Sequence, residues 1–357
     1  MSFANNLLLA VNPGSTSTKV ALYEGAIVRV EESLHHSTAD LQGFDHYQDQ
    51  LEFRITLVEG FLTRQGVSAR ELAATVGRGG LLKPLRSGTY RVNTDMLNDL
   101  RLGVYGVHAS NLGGQIAFAL ADPSGIPAFI VDPVSVDEFC DQARFSGLPD
   151  LPRQSMVHAL NTRAIAHRHA SAVNLSFDEL NVVVAHLGGG LSIVPICQGR
   201  MIDVNNANQA GPMSPERAGS LPSYDLVRLC FSGKYTEAQL LKLIAGNGGL
   251  TAHLGTNDLR LAEERAADGE DIADRVLEAM YYQIGKEIGA MAAVLQGKCN
   301  AILLTGGMAF SNRLVAKVSE YVSWIAPVYC YPGEEELRAL CEGAWRALQG
   351  LEKVNEY

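Results

Sequence analysis

Apolar residues run without a break from Leu7 to Val11, yield to the polar stretch NPGSTSTK (Asn12 to Lys19), and resume at Val20 to Tyr23. Two apolar, β-branched runs around a glycine and hydroxyl turn predict a hairpin of strands. The pattern then returns. Leu8 to Val30 and Val182 to Val204 align without a gap, placing Gly14 on Gly188, Val20 on Val194, Gly25 on Gly199 and Val30 on Val204, a constant offset of 174 (188 − 14). Each copy predicts a strand, a Gly-rich turn, a second strand, a Gly turn and a third strand. Two unrelated hairpins would be the plainer explanation, but a gapless match over this length argues for duplication. Turns of this composition present backbone N–H groups and hydroxyls, which suit phosphate oxygens.

Between the copies the period changes. Leu51, Ile55, Leu57, Val58, Phe61 and Leu62 predict a helix over 51–65. Ala74 to Arg78 predicts a buried strand ending in GRGGLLKP, where glycine either lets the chain turn or lets a ligand approach. Ala109 to Leu120 predicts a helix, Pro127 to Val131 a strand, and Ser155 to His169 a helix near a domain crossing rich in proline. Ile272, Val276, Leu277, Met280, Ile284, Ile288, Met291 and Leu295 keep a helical period and are expected in a core. Gly285 and Gly289 on that helix cost stability unless a neighbour packs closely on them. Ala301 to Leu304 predicts a strand leading through Gly306, Gly307 and Met308 to a helix start, a turn that offers N–H groups to a nucleotide. Strands mixed with helices in two repeated halves make an α/β protein.

With 357 residues the chain is long enough for two domains, each with its own core. Its composition, 47% hydrophobic and 19% charged, is that of a globular enzyme, and a net charge of −10 argues against nucleic acid as partner. The six cysteines show no zinc or Cys-x-x-Cys spacing and are expected as small core residues in a reducing compartment. There is no basic leader, Leu7 to Val11 is short for a signal peptide, and no uncharged stretch would span a membrane, so a cytoplasmic protein is expected.

No Walker A, H-R-D or D-F-G element occurs, so a phosphate site has to be built from the hairpins. Phosphoryl transfer needs cations and N–H donors around the moving group, and a metal held by oxygens. Lys19 closes the first turn, although such a lysine is usually only solvated. Arg78 lies between Gly77 and Gly79, and Arg217 lies in SPERAG; their forked donors could clamp a carboxylate and a phosphoryl group. His108, His158 and His186 stand out among the histidines, His186 falling where Asn12 falls in the first copy. Asp132 at a strand end and the run Glu334, Glu335, Glu336 are possible magnesium ligands, although Pro332-Gly333 before three glutamates equally fits a helix start.

The blocks NPGSTSTK, GRGGLLKPLRSGTYRVN, SNLGG, FIVDPVSVDE, HLGGGLSIVPICQGRMIDVNNA, SPERAG, HLGTNDLR and LLTGGMAFS, which span the chain, resemble the butyrate kinases. These belong with the acetate kinases in the actin-like, sugar-kinase and heat-shock-chaperone ATPase superfold. The resemblance implies two duplicated ribonuclease-H-like domains, mixed sheets flanked by helices, facing across a nucleotide cleft. It implies a first domain of residues 1–150 with a returning C-terminal helix, 338–357, and a second of 151–337. It implies conversion of butyrate and ATP to butyryl phosphate and ADP with Mg²⁺, by a homodimer or higher homo-oligomer. Acetate, propionate or branched-chain acids, or a non-catalytic ATP-binding role, are the alternatives.

Carried over by position, the resemblance puts Asn12, Arg78, Asp132, His158 and Arg217 at the transfer site, and Asn12, Asp132 and Glu335 near the metal. The nucleotide falls to Gly14, Ser15, Thr16, Ser17 and Lys19, to His186 with Gly188, Gly189 and Gly190, to Asp258, Leu259 and Arg260, and to Gly306, Gly307 and Met308. Gly80, Val107, His108 and Val157 would line the acyl pocket, with Gly80 and Val157 smaller than the acetate-kinase residues and so leaving volume for a longer chain. Gly189 replaces an asparagine of the acetate-kinase loop, and Asn208 to Gly211 lack an acidic residue common in relatives.

Overall fold

The computed structural model describes residues 6–357. The chain divides into two compact units, the first of residues up to Asp137 with Ala159–Ala164 and Glu335–Tyr357, the second of Glu138–His158 and Ile165–Glu334. The first crossing therefore falls at 137/138, before the expected 150, and the return comes at 335. Among the described residues no helix is long and apolar enough to cross a membrane.

Each unit is built on one sheet. In the first, β1 (Leu7–Pro13), β2 (Ser17–Glu24) and β3 (Ile27–His35) form an antiparallel meander. β4 (Leu72–Arg78) adds parallel to β1, and β6 (Ala128–Val131) adds parallel to β4, beyond β5 (Thr89–Arg91) in sequence. With β5 and the C-terminal strand Val354–Asn355 at its edge, this sheet has seven strands. In the second unit β7 (Asn181–Leu187), β8 (Leu191–Cys197) and β9 (Arg200–Met201) repeat the meander, and β10 (Ala301–Gly306) and β11 (Val328–Pro332) repeat the two parallel additions. The spatial order of the shared five strands is the same, so the duplication read from the hairpins extends to five strands of each sheet.

The repeat is not gapless in space. In the first hairpin Pro13 pairs with Thr18 and Asn12 with Lys19; in the second Leu187 pairs with Leu191 and His186 with Ser192. The second turn is thus one residue shorter, and beyond it the structural offset is 173 (191 − 18). Gly199 consequently matches Ala26, and the place of Gly25 is taken by Gln198, which adopts φ 49°. A tight turn tolerates this shift because a neighbouring glycine, at φ 76°, supplies the second left-handed position.

Side chains alternate across β1. Leu8 and Ala10 pack with Leu337, Leu340 and Ala344 of the helix Glu336–Leu348, whereas Leu9 and Val11 pack with Val58 and Phe61 of the helix Leu51–Arg64. A central strand buried on both faces is what its unbroken apolar run dictates. In the second unit, Val276, Leu277, Met280, Ile284, Ile288 and Met291 of the helix Asp271–Val294 are core residues, as expected, whereas Ile272 in its first turn is exposed, against expectation. A Cβ on Gly285 would stand 2.7 Å from Tyr321 Cβ, so a neighbour does use that glycine; Gly289 has no such neighbour. Of the cysteines only Cys341 is buried, and Cys230 and Cys330 are exposed, against the expectation of core thiols.

Glycines in GRGGLLKP serve helix packing. A Cβ on Gly77 would lie 2.0 Å from the carbonyl oxygen of Gly113, and one on Gly113 2.4 Å from that of Arg78. The helix Asn111–Ala121 therefore rests its backbone directly on β4. Gly80 is part of the same contact: its Cβ would stand 2.3 Å from Asn111 Oδ1 and 2.6 Å from Asn111 Cα. The expectation that Gly80 leaves room for an acyl chain is corrected, because Asn111 already fills that volume.

Candidate nucleotide and phosphoryl-transfer residues

In the second unit a cavity of about 970 Å³ opens beside the turn between β7 and β8. Gly188, Gly189, Asp258, Leu259, Arg260, Gly307 and Met308 line it, all of them expected. Gly306 is not at the wall; at φ 93° its missing Cβ lets the carbonyl of Leu187 approach, where a side chain would come within 2.3 Å. Asp258 caps the helix Leu259–Ala267 by accepting from Arg260 N–H, and its carboxylate pairs with the Arg260 guanidinium at 2.8 Å.

Glu216, Phe310 and Arg313 also line the cavity and were not evident from the sequence, whereas Glu334 belongs to the acidic run noted there. Glu216 accepts from Asn257 Nδ2 at 2.6 Å and approaches Gly189, a Cβ on which would be 3.2 Å from Glu216 Oε2. Glu334 likewise flanks Gly188 and lies 3.3 Å from His186 Nε2. Phe310 and Arg313 complete the far wall. Glu216 neighbours the singled-out Arg217, but only the folded loop brings it to the glycine turn.

Arg217 stands beside Gly190, whose Cβ would be 3.6 Å from its Nε. That Nε is buried and, like His186 Nδ1, has no hydrogen-bond partner among the described residues. Orphaned buried donors are uncommon because each costs the desolvation of an N–H; a guanidinium N–H waiting beside a glycine turn fits an anion such as a nucleotide phosphate. His158 lies against the same hairpin. Its Nδ1 is 2.8 Å from Ser192 Oγ, and its ring packs against that of His186 with centroids 4.5 Å apart and planes tilted by 31°. Val157, beside it, is buried.

In the first unit the turn of Gly14, Ser15, Thr16 and Ser17 closes through a 2.8 Å bond from Gly14 N–H to Ser17 carbonyl. Beneath it lies Arg54, fully buried, in the sequence no more than one position of a predicted helix. Its Nη atoms donate to the carbonyls of Ser17 and Ser15 and to Thr18 Oγ1 at 3.2, 3.3 and 3.0 Å, and Gln50 accepts from the remaining edge. No carboxylate is among these partners. Burial pushes its pKa down to about 10, which leaves a cation under the turn at neutral pH. An arginine interrupting the apolar face between Leu51 and Val58 was the available signal. Lys19 is exposed, on the strand opposite Asn12.

Asn12 and Arg78 come together on one carboxylate. Glu336 accepts from Asn12 Nδ2 at 2.5 Å through Oε2, and from Arg78 Nη1 through Oε1. The glutamate gathered with them is thus Glu336, whereas Glu335 pairs with Arg338 at 3.3 Å. Asp132 departs further from expectation. It is 2% exposed, holds a left-handed φ of 41°, accepts from Gly88 N–H at 2.6 Å and faces Arg163 at 3.4 Å. Arg163 also holds Glu352 at 2.9 Å, so this carboxylate secures the C-terminal segment and is not displayed as a metal ligand. Burial raises its pKa, against the pull of Arg163.

His108 bonds Ser110 Oγ through Nδ1 at 2.8 Å; desolvation of the ring and then the charge of Arg78 hold its pKa below the ordinary histidine value. Val107 is exposed. Among the described residues no three His, Cys, Asp or Glu side chains gather as a metal cage. Mg²⁺ does not require one, since it keeps waters and takes one or two carboxylates alongside phosphates.

Residues 152–322 match the Acetokinase family. The chain is 53% identical over 350 residues to a probable butyrate kinase 2 of Caldanaerobacter subterraneus subsp. tengcongensis, covering 98% of this chain and 99% of that one. It is 49% identical over 351 residues to butyrate kinase 2 of Clostridium acetobutylicum, with the same coverage. In fold it resembles the acetate kinase of Porphyromonas gingivalis (TM-score 0.76, 18% identity, 95% of this chain and 99% of that chain). A propionate kinase of Francisella tularensis subsp. tularensis is similarly close (TM-score 0.73, 16% identity, 95% and 99%). With the actin-like fold repeated in both units and close relatives matched along nearly their whole length, this chain belongs to the acetokinase family, alongside its butyrate kinases.

Proposed function

We propose that the chain is an ATP-dependent kinase of short-chain carboxylic acids that converts butyrate and ATP to butyryl phosphate and ADP. The observation that carries the nucleotide half of this reading is the partnerless Nε of Arg217 beside Gly190, in the unit that holds the glycine-walled cavity. The acyl half is supported by the relatives at 53% and 49% identity, which are named as butyrate kinases. Asn12 and Arg78 support it too, since together they already hold a carboxylate, that of Glu336.

A carboxylate is ionised at neutral pH, so the acceptor needs no general base. Its oxygen forms the new bond to the γ-phosphorus, the bond from that phosphorus to the bridging oxygen breaks, and the electron pair leaves on ADP. Arg78 neutralises the acid as it binds, with forked donors that suit a carboxylate. Arg217 and His158 donate to the oxygens of the moving group, where fixed donors act on charge as it spreads. The turns at Gly14–Ser17 and Gly188–Gly190 offer N–H groups to the nucleotide, and Asp258–Arg260 with Gly307 and Met308 hold its nucleoside end. Mg²⁺, with Glu335 and Asn12 as its protein ligands, would supply charge neutralisation at the phosphates. A cytoplasmic homodimer, or a higher homo-oligomer, completes this reading.

Trapping with hydroxylamine tests it. The enzyme with ATP, Mg²⁺ and butyrate should yield butyryl hydroxamate, and kcat/KM for butyrate should exceed those for acetate, propionate and isobutyrate. ATP turnover without hydroxamate would overturn the kinase reading, and a preference for another acid would reassign its substrate.

A further inference from the structure

Ser192 and His186 are directly opposed in the β7–β8 ladder, so their side chains share one face of the sheet. His158 sits on this pair, its ring tilted against that of His186 and its Nδ1 2.8 Å from Ser192 Oγ. Ser192 is 1% exposed. Its oxygen also accepts the backbone N–H of His158, at 3.3 Å. With that donor supplied, and with no other side-chain bond to Ser192 among the described residues, its hydroxyl hydrogen has one acceptor in reach, Nδ1 of His158. A neutral imidazole that accepts at Nδ1 carries its proton at Nε2.

We infer that Ser192 is a positioning residue that fixes His158 as the Nε2–H tautomer, a neutral donor to an oxygen of the transferring phosphoryl group. This rests on the role proposed for His158. An Nδ1–H would leave the buried serine hydrogen without an acceptor, at the cost of an unsatisfied polar group. The His186 ring packs against one side of the His158 ring, tilted by 31°, and Ser192 holds its Nδ1 edge. In the first unit the equivalent ladder position, opposite Asn12, is Lys19, so this seat exists in only one of the two repeats.

The test is the tautomer itself, read by long-range ¹H–¹⁵N NMR of the histidine rings well above the ordinary histidine pKa, with His158→Gln identifying the resonances. Wild-type enzyme should show His158 protonated at Nε2, and Ser192→Ala should show a mixture. Ser192→Ala should lower kcat about tenfold, the scale of one oriented hydrogen bond, with KM for ATP and for the acid little changed, and Ser192→Thr should restore kcat. An Nδ1–H signal assigned to His158 in the wild type overturns the inference before any Ser192 variant is made. So does an unchanged kcat in Ser192→Ala when His158→Gln is inactive, an outcome that leaves the function intact. A fully active His158→Gln would instead remove the role of His158 on which the inference stands.

Discussion

Arg78 and Glu336 form an ion pair whose carboxylate is held on its other oxygen by Asn12. Both side chains are largely buried, at 14% and 23% exposure. An acid substrate that binds Arg78 competes with Glu336 for the same guanidinium. Glu336→Gln should therefore lower KM for butyrate by about three- to tenfold, the scale of one charge-assisted bond, and leave KM for ATP in place. A raised KM would mean that Glu336 aims Arg78. Arg78→Lys should reduce kcat/KM by about 10²-fold, since an ammonium lacks the fork.

Arg217 has a buried Nε without a hydrogen-bond partner among the described residues, so its removal should cost transition-state binding more than stability. Arg217→Ala is expected to lower kcat by about 10²- to 10³-fold with Tm close to wild type. A near-normal kcat would take Arg217 out of the chemistry.

Arg54 places a buried cation under the first turn without a carboxylate beside it. An isolated buried charge is costly, and an anion on the turn would offset it. Arg54→Met should lose most of the ATP-induced rise in Tm, measured by scanning calorimetry against the apo variant. A full ligand-induced rise would confine Arg54 to shaping the turn.

Gly80 tests where acyl specificity resides. Because Asn111 occupies the space a side chain would take, Gly80→Val should lower stability by about 1–3 kcal/mol or more through overpacking. The ratio of kcat/KM for butyrate to that for acetate should not change in the folded fraction. A clear swing toward acetate would restore Gly80 to the pocket.

Burial raises the Glu287 carboxyl pKa, with Arg153 opposing and Asp203 reinforcing the shift. A folded pKa above the unfolded one means that the folded state holds a proton the unfolded state has lost. Stability from this group is thus greatest below the ordinary glutamate range and is lost as pH rises through the folded value. Glu287→Gln should raise Tm at neutral pH, and the gain should shrink to nothing as pH falls below that range. A gain independent of pH would point to packing instead.

The duplication and both glycine turns were legible in the sequence because they depend on local signals. Unbroken apolar runs mark β1, β4, β7 and β10 as buried on both faces, and the helical stripe from Val276 to Met291 marks a core helix. The motifs were legible for the same reason: NPGSTSTK and HLGGG are contiguous, and a contiguous turn carries its chemistry with it.

What tertiary structure alone decided is which partner each side chain and each glycine meets. The hairpin register slips by one residue between the copies, a choice made by cross-strand pairing that no gapless alignment could expose. Gly77 and Gly80 gave way to a helix rather than a ligand, Asp132 turned to Arg163, and Glu336 rather than Glu335 reached Asn12 and Arg78. Sequence fixes the period, and so the face, on which a residue lies; contacts between residues hundreds of positions apart depend on how faces are packed, and that is settled only when the chain is folded.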